Sequence, residues 1–195
     1  MHIEKWERDM GRKIEEEEKK KMFTLIHENI SMREVEINYK CLNRWHITPY
    51  LEHKMNAEIS QMCWRDCGEV GTWYHMWWEC SEIQVFWRRM VYLIGKITKI
   101  NIGLDPELCL LHISELPVKV YKGSGIWYYL TAAKSLIPRY WKKREVPTEE
   151  DWMGRVNQIS GTERLYYTHK DKLEMYNKKW KGWVEYKEMA KKVKR

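Results

Sequence analysis

The sequence has no uninterrupted apolar run approaching the ~20 residues of a membrane-spanning helix, which speaks against a membrane protein. Its opening residues, Met1-His2-Ile3-Glu4-Lys5-Trp6-Glu7-Arg8-Asp9, lack the apolar stretch of a signal peptide and alternate charges instead, so a reducing compartment is expected. Strand signals are poor throughout. No Asp-Asp pair of the polymerase type is present to hold two metal ions about a primer end, and no set of acids and histidines has the spacing of a nuclease. Phenylalanine is scarce: 2 residues stand against 12 tryptophans and 12 tyrosines. Trp and Tyr join a large apolar body to a polar edge, which suits both irregular helical cores and surfaces on which bases stack.

What is present is a chain of 195 residues, hydrophobic at 44% and charged at 32%, which excludes a disordered polyelectrolyte. A chain of this length buries roughly 70% of its unfolded surface, enough for a core without disulfides. The 35 Lys and Arg exceed the 28 Asp and Glu to leave a net charge of +7, mildly favourable to a polyanionic partner. The excess is uneven. Residues 170–195 carry ten Lys and Arg against four Asp and Glu, and Arg139, Lys142, Lys143 and Arg144 surround Tyr140 and Trp141. The end, Lys191-Lys192-Val193-Lys194-Arg195, has the form of a basic import signal.

Helix starts recur along the chain. Ser31-Met32-Arg33-Glu34 reads as a capping box, followed by an apolar stripe of Met32, Val35, Tyr39, Leu42 and His46. Thr48 caps a second start with Pro49 at the first helical position. Ser81-Glu82-Ile83-Gln84 is a further capping-box pattern, and Ile83, Phe86, Met90, Ile94 and Ile97 form the buried stripe behind it. Asp105-Pro106-Glu107 begins a short helix. A longer one, marked by Ile126, Tyr129, Leu130, Ala133, Leu136 and Ile137, follows a flexible Lys122-Gly123-Ser124-Gly125 and is kinked or ended by Pro138. Thr148 opens another helix with acids in its first turn. Beyond a break at Ser160-Gly161, Leu165, His169, Leu173, Tyr176, Trp180 and Trp183 or Val184 recur at helical spacing. The fold class expected is mainly α, without an internal repeat.

Three of the five cysteines fall within 18 residues, in the pattern C-x3-C-x7-H-x4-C formed by Cys63, Cys67, His75 and Cys80. Two cysteines flanking a short turn, with Gly68 and Gly71 supplying a permissive backbone for the return, let two thiolates converge on one ion. His75 and Cys80 lie about 140° apart on a regular helix, so a distorted turn must bring both to the metal. Three thiolates and an imidazole suit tetrahedral zinc with no open position, which is a structural site. Cys41 and Cys109 have no neighbour in sequence and read as small apolar residues. His53 is a substitute ligand, and His2, His27, His46, His112 and His169 read as histidines on helix faces.

The stretch Cys63-Trp64-Arg65-Asp66-Cys67-Gly68-Glu69-Val70-Gly71-Thr72-Trp73-Tyr74-His75-Met76-Trp77-Trp78-Glu79-Cys80 closely resembles the cysteine-rich motif near the C-terminus of the second open reading frame protein of long interspersed (LINE) non-LTR retrotransposons. Further landmarks of that family are resembled by Lys5-Trp6-Glu7-Arg8-Asp9-Met10, Arg44-Trp45-His46-Ile47-Thr48-Pro49, Phe86-Trp87, Asp105-Pro106, Leu130-Thr131-Ala132-Ala133, Pro147-Thr148 with Asp151-Trp152, and Trp180-Lys181-Gly182-Trp183. The family protein carries an endonuclease and a reverse transcriptase ahead of this segment. The resemblance therefore implies its RNA-binding end, without either catalytic domain.

The expectation is one compact domain with an N-terminal helical segment at 1–60, a zinc knuckle at 61–82, a C-terminal helical segment at 83–190 and a basic tail at 191–195. Its function would be non-catalytic binding of nucleic acid, mainly RNA and also single-stranded DNA, in a ribonucleoprotein of cytoplasm and nucleus. The residues expected to touch it are Trp64, Arg65, Trp73 and Trp77 at the knuckle, with Arg139, Lys142, Lys143, Arg144, Lys178, Lys179 and Lys181 as phosphate contacts. Trp77 and Trp78, about 100° apart, should be one buried and one partly exposed. The competing class is an interaction module that docks on the polymerase portion of a retrotransposon protein or on a host factor.

Overall fold

The computed structural model describes residues 2–27 and 31–193. They are mainly helical, and their only strand-like pairing is an isolated antiparallel bridge between Met62 and Val70. Helix α1 (Ile3–Met10) buries Trp6, whose indole N–H donates to the carbonyl of Leu42 at 2.9 Å. Helix α2 (Glu16–His27) has three glutamates in its first turn, where the helix dipole favours them. Helices α3 (Met32–Leu42) and α4 (Pro49–Met55) start as the sequence predicts: Ser31 Oγ accepts from the amide of Arg33 and Thr48 Oγ1 from that of Leu51, with Pro49 at the first turn.

Neither half of the capping box at Ser31 is made, since the hydroxyl takes the amide of Arg33 rather than that of Glu34. Glu34 turns into the core and pairs with Arg155, both side chains buried. With it turns the whole face of α3. Glu34, Asn38, Cys41 and Leu42 are buried, while Met32 is 77% exposed and Tyr39 is exposed. The expected apolar stripe is therefore split: Met32 and Tyr39 face outward, Leu42 is buried, and Val35 and His46 pack against the core. Polar residues occupy the inner face because each finds a buried partner, which removes the usual cost of burial. Asn38 donates to Thr131 Oγ1 at 3.1 Å and faces His112 Nε2 at 3.1 Å.

Helix α5 (Ser81–Thr98) buries the whole predicted stripe together with Trp87, Val91 and Leu93. Its N-cap is Cys80 rather than Ser81, so the second capping box is not formed. A π turn at Glu107–Leu111 is held by Asp105, whose carboxylate accepts from the amides of Glu107 and Leu108. The stretch expected to be flexible lies within helix α6 (Val118–Ser124), which ends at Gly125 with φ 73°. Helix α7 (Ile126–Leu136) is the axis of the fold and every one of its residues is buried. A 3₁₀ turn at Ile137–Tyr140 continues it past Pro138, the change of geometry expected at that proline.

Helix α8 (Glu149–His169) has the full capping box, Thr148 with Asp151, and runs unbroken through Ser160-Gly161. The chain turns instead at 170–172, with Asp171 at φ 52°, before helix α9 (Leu173–Val193). Leu165 and His169 consequently face solvent, whereas Tyr176, Trp180 and Trp183 are buried. Trp180 and Trp183 close on Tyr129 and Trp152, and the Trp152 indole donates to the carbonyl of Tyr129 at 3.0 Å. Most tryptophans are thus core anchors. Of the basic tail, Lys194 and Arg195 lie outside the described residues.

At the centre, His112 sits between the hydroxyl of Tyr121 at 2.8 Å and Nζ of Lys134 at 2.7 Å, with Lys134 donating also to the carbonyl of Leu110. Burial, and then the Lys134 ammonium, lower the pKa of His112 well below the usual histidine value. An unfolded chain takes up a proton at this residue near pH 6.5, but the native one does not. The stabilising contribution is therefore fully present above pH 6.5 and is lost as pH falls, by up to about 1.4 kcal/mol per unit. Urea unfolding at pH 7 and pH 5 should show this loss, and His112→Gln should lose less over the same interval.

Candidate metal centre and basic face

The knuckle is built by local backbone geometry. Beside the Met62–Val70 bridge, the amide of Cys63 donates to the carbonyl of Glu69 at 2.8 Å, closing a loop that Asp66 (φ 55°) and Gly68 (φ 86°) turn back. Gly71 then passes so close to α4 that a Cβ there would fall 2.4 Å from Cγ of Pro49. Only glycine leaves this room.

The distorted turn that the spacing demands is a π turn at His75–Glu79, in which the amide of Cys80 donates to the carbonyl of His75 at 3.0 Å. Its i→i+5 pattern brings residues five apart onto one face. Ligand atoms of Cys63, Cys67, His75 and Cys80 all lie within 4.8 Å of one another. Cys63 Sγ is 3.9 Å from Cys80 Sγ, and Cys67 Sγ is 3.2 Å from His75 Nε2. A tetrahedral ion with Zn–S near 2.3 Å and Zn–N near 2.05 Å would hold such atoms about 3.8 Å and 3.6 Å apart. The four residues fit, and the group could hold a metal ion such as zinc.

The electrostatics of the group favour one thiolate, at Cys80. Cys80 is lowered far below an ordinary thiol, first by the hydrogen bond from Cys63, then by His75 and by the amides of Glu82 and Ile83 at the start of α5. Cys63 is raised by the same hydrogen bond and by burial. Cys41 and Cys109 lie elsewhere, fully buried, where burial pushes Cys41 up to about 11 and Cys109 higher still. Neither joins the metal group. His53 does not either: it lies outside the group of four, and its Nδ1 is 2.7 Å from the carbonyl of Ile59.

Several expected nucleic-acid contacts are corrected by burial. Trp73 and Trp77 stack on each other with centroids 5.1 Å apart, and Trp73 meets Trp6 edge-on at 5.1 Å. Both rings are buried, so neither can stack on a base; Trp78 is buried as well, so the pair does not divide between core and surface. Arg44 crosses the same cluster, its guanidinium 4.3 Å from the Trp6 ring and 2.6 Å from Asp9, which ties α1 to the knuckle. Arg65 is also buried. Lys179 is half-buried, bonded to Glu163 at 3.0 Å and to the Tyr128 hydroxyl, and its charge is spent inside the fold.

The remaining candidates are accessible. Trp64 is half-buried against Trp141, with Nζ of Lys142 5.1 Å above its ring. Arg139, Lys142, Lys143 and Arg144 are exposed, as are Lys178 and Lys181 on α9. Three of these cations have partners at the surface: Lys142 with Glu52 at 2.6 Å, Arg144 with Asp66 of the knuckle, and Lys181 with Glu185 at 3.8 Å. The sequence reading missed Trp45, which is 66% exposed. It belongs to no helical stripe and lies between α3 and α4, and that position was the available signal. The neighbouring His46 packs on Trp77 and Trp141, and the Trp141 indole donates to the carbonyl of Ile47, which fixes the segment that carries Trp45 against the ring on which Trp64 also packs.

A cleft of about 1020 Å³ lies elsewhere, between α2 and the Glu107–Leu111 turn, where Arg12 is held by Glu18 and Glu107. Among the described residues no helix is long and apolar enough to cross a membrane. No protein-family model matches the chain.

Proposed function

We propose that the chain is a non-catalytic module that binds nucleic acid, mainly RNA, stabilised by structural zinc at Cys63, Cys67, His75 and Cys80, and that it belongs to a LINE-type retrotransposon protein acting in a cytoplasmic and nuclear ribonucleoprotein. The observation that carries this reading is the surface beside the knuckle, where the accessible Trp64 has Lys142 above its ring and Arg144 reaches Asp66, with Arg139 and Lys143 of the same segment exposed and Trp45 exposed before α4. Lysine and arginine neutralise phosphates and release counterions, and the rings stack on unpaired bases at ~1–3 kcal/mol each. Four protein ligands leave no open metal position, so the zinc activates no water. Breaking the surface pairs of Lys142 and Arg144 to reach phosphate would cost about 1 kcal/mol or less each.

Fluorescence anisotropy with a labelled single-stranded RNA at several salt concentrations tests it. With about five phosphates neutralised, log K should fall against log salt with a slope near −3.5. Lys142→Ala with Lys143→Ala should weaken all sequences alike and flatten the slope by about 1.4. Trp64→Ala should weaken binding without changing the slope, because stacking releases no counterions. Salt-independent affinity, or none at low salt, would favour a protein-interaction module instead. A specific feature supports that second reading: Leu51, Met55, Ile59 and Met62 are exposed along α4 and the entry to the knuckle.

A further inference from the structure

Arg65 is only 4% exposed, yet it is not paid for in the usual way: its Nε and Nη2 have no hydrogen-bond partner, and its Nη1 donates to the carbonyl of Met76 at 3.0 Å. Asp66, the adjacent acid, pairs outward with Arg144. A buried cation without a counter-charge is strongly unfavourable, so a negative group is implied nearby. The metal group stands in that place. Nη1 of Arg65 is 3.9 Å from Sδ of Met76, which is itself 3.6 Å from Sγ of Cys63. The amide of Arg65 also points at Cys63 Sγ, at 3.5 Å. Three thiolates and a neutral imidazole around a divalent ion carry one negative charge in excess.

We propose that Arg65 is the counter-charge of the metal centre, a positioning residue whose guanidinium balances the excess thiolate charge across Met76. The inference rests on the reading of the four residues as a metal site. It replaces the nucleic-acid role expected for Arg65 from sequence, and it explains how an orphaned guanidinium is tolerated beside sulfur ligands. Groups just outside a ligand shell commonly tune metal affinity in this way.

The test is a zinc titration of the full chain against a competing chelator, repeated with cobalt(II) to read thiolate coordination from its absorption spectrum. Arg65→Met, which keeps the side chain's bulk and removes its charge, should weaken affinity about 10- to 100-fold, and Arg65→Lys should restore most of the loss. Cys67→His makes the centre electrically neutral. In that background Arg65→Met should cost no more than about twofold, because the charge it balances is gone. Wild-type affinity in Arg65→Met, or an equal loss in both backgrounds, would overturn the counter-charge role while leaving the metal site standing. Failure of the wild-type chain to take up either metal would remove the site and the inference with it. If Arg65→Met alone does not fold, recovery of metal binding on adding Cys67→His supports the proposal, and no recovery overturns it.

Discussion

Chelating the metal, or replacing Cys80 by serine, is expected to unfold the knuckle and loosen α1 and α5. Structural zinc of this kind contributes folding free energy on the order of 10 kcal/mol, more than the net stability of most domains. The loss would not stay local. Trp73 and Trp77 are held in the stretch between the second and fourth ligands, and through them the knuckle packs on Trp6 of α1 and, by way of His46, on Trp141. Without the ion, these rings lose the frame that stacks them. Near-ultraviolet circular dichroism should lose its tryptophan signal on chelation and regain it with zinc. Metal analysis of protein purified under reducing conditions without chelator should find one zinc per chain, and finding none would sink the site.

Glu34→Ala should destabilise the fold by about 3–5 kcal/mol, since it leaves the Arg155 guanidinium buried and uncompensated. The remaining partners of Arg155, Ser135 Oγ at 3.1 Å and Gln158 Oε1 at 3.2 Å, are neutral and cannot replace a carboxylate. Exchanging both members, Glu34→Met with Arg155→Leu, should recover most of the loss or exceed it, because two apolar side chains of similar size carry no desolvation cost. Denaturant midpoints of the three proteins would decide. Equal midpoints for Glu34→Ala and the wild type would show that the pair contributes nothing.

How far the sequence was legible follows the range of the forces involved. The group that could hold a metal ion was readable because its four residues fall within one short stretch, where spacing and chemistry are local. The buried stripe of α5 was readable because its apolar residues repeat with the period of the helix. The inner face of α3 was not, since Glu34 and Asn38 are of types that normally face water, and what draws them inward, Arg155, Thr131 and His112, comes from distant parts of the chain. Ser160-Gly161 looked like a break, but packing of neighbouring α8 residues against α7 outweighs the weak propensities of two small residues. Whether Trp73 and Trp77 face solvent was unreadable for the same reason, since their burial comes from each other, Trp6 and Trp141, whereas Trp45 could be told apart only by its place between helices.

The π turn at His75–Glu79 ends at Cys80, whose φ −53° and ψ 128° leave the helical region, so α5 begins a new helix there rather than continuing the turn. Suppose one residue between His75 and Cys80, such as the exposed Glu79, were deleted. The histidine and cysteine would then stand four apart, and a plain α-helical turn would still carry both to one face. Because Cys80 would keep its place, α5 would start from the same point and turn the same stripe to the core. The extra residue is thus slack: the turn absorbs a change of length that a continuous helix would pass on to everything beyond it as a rotation of about 100°.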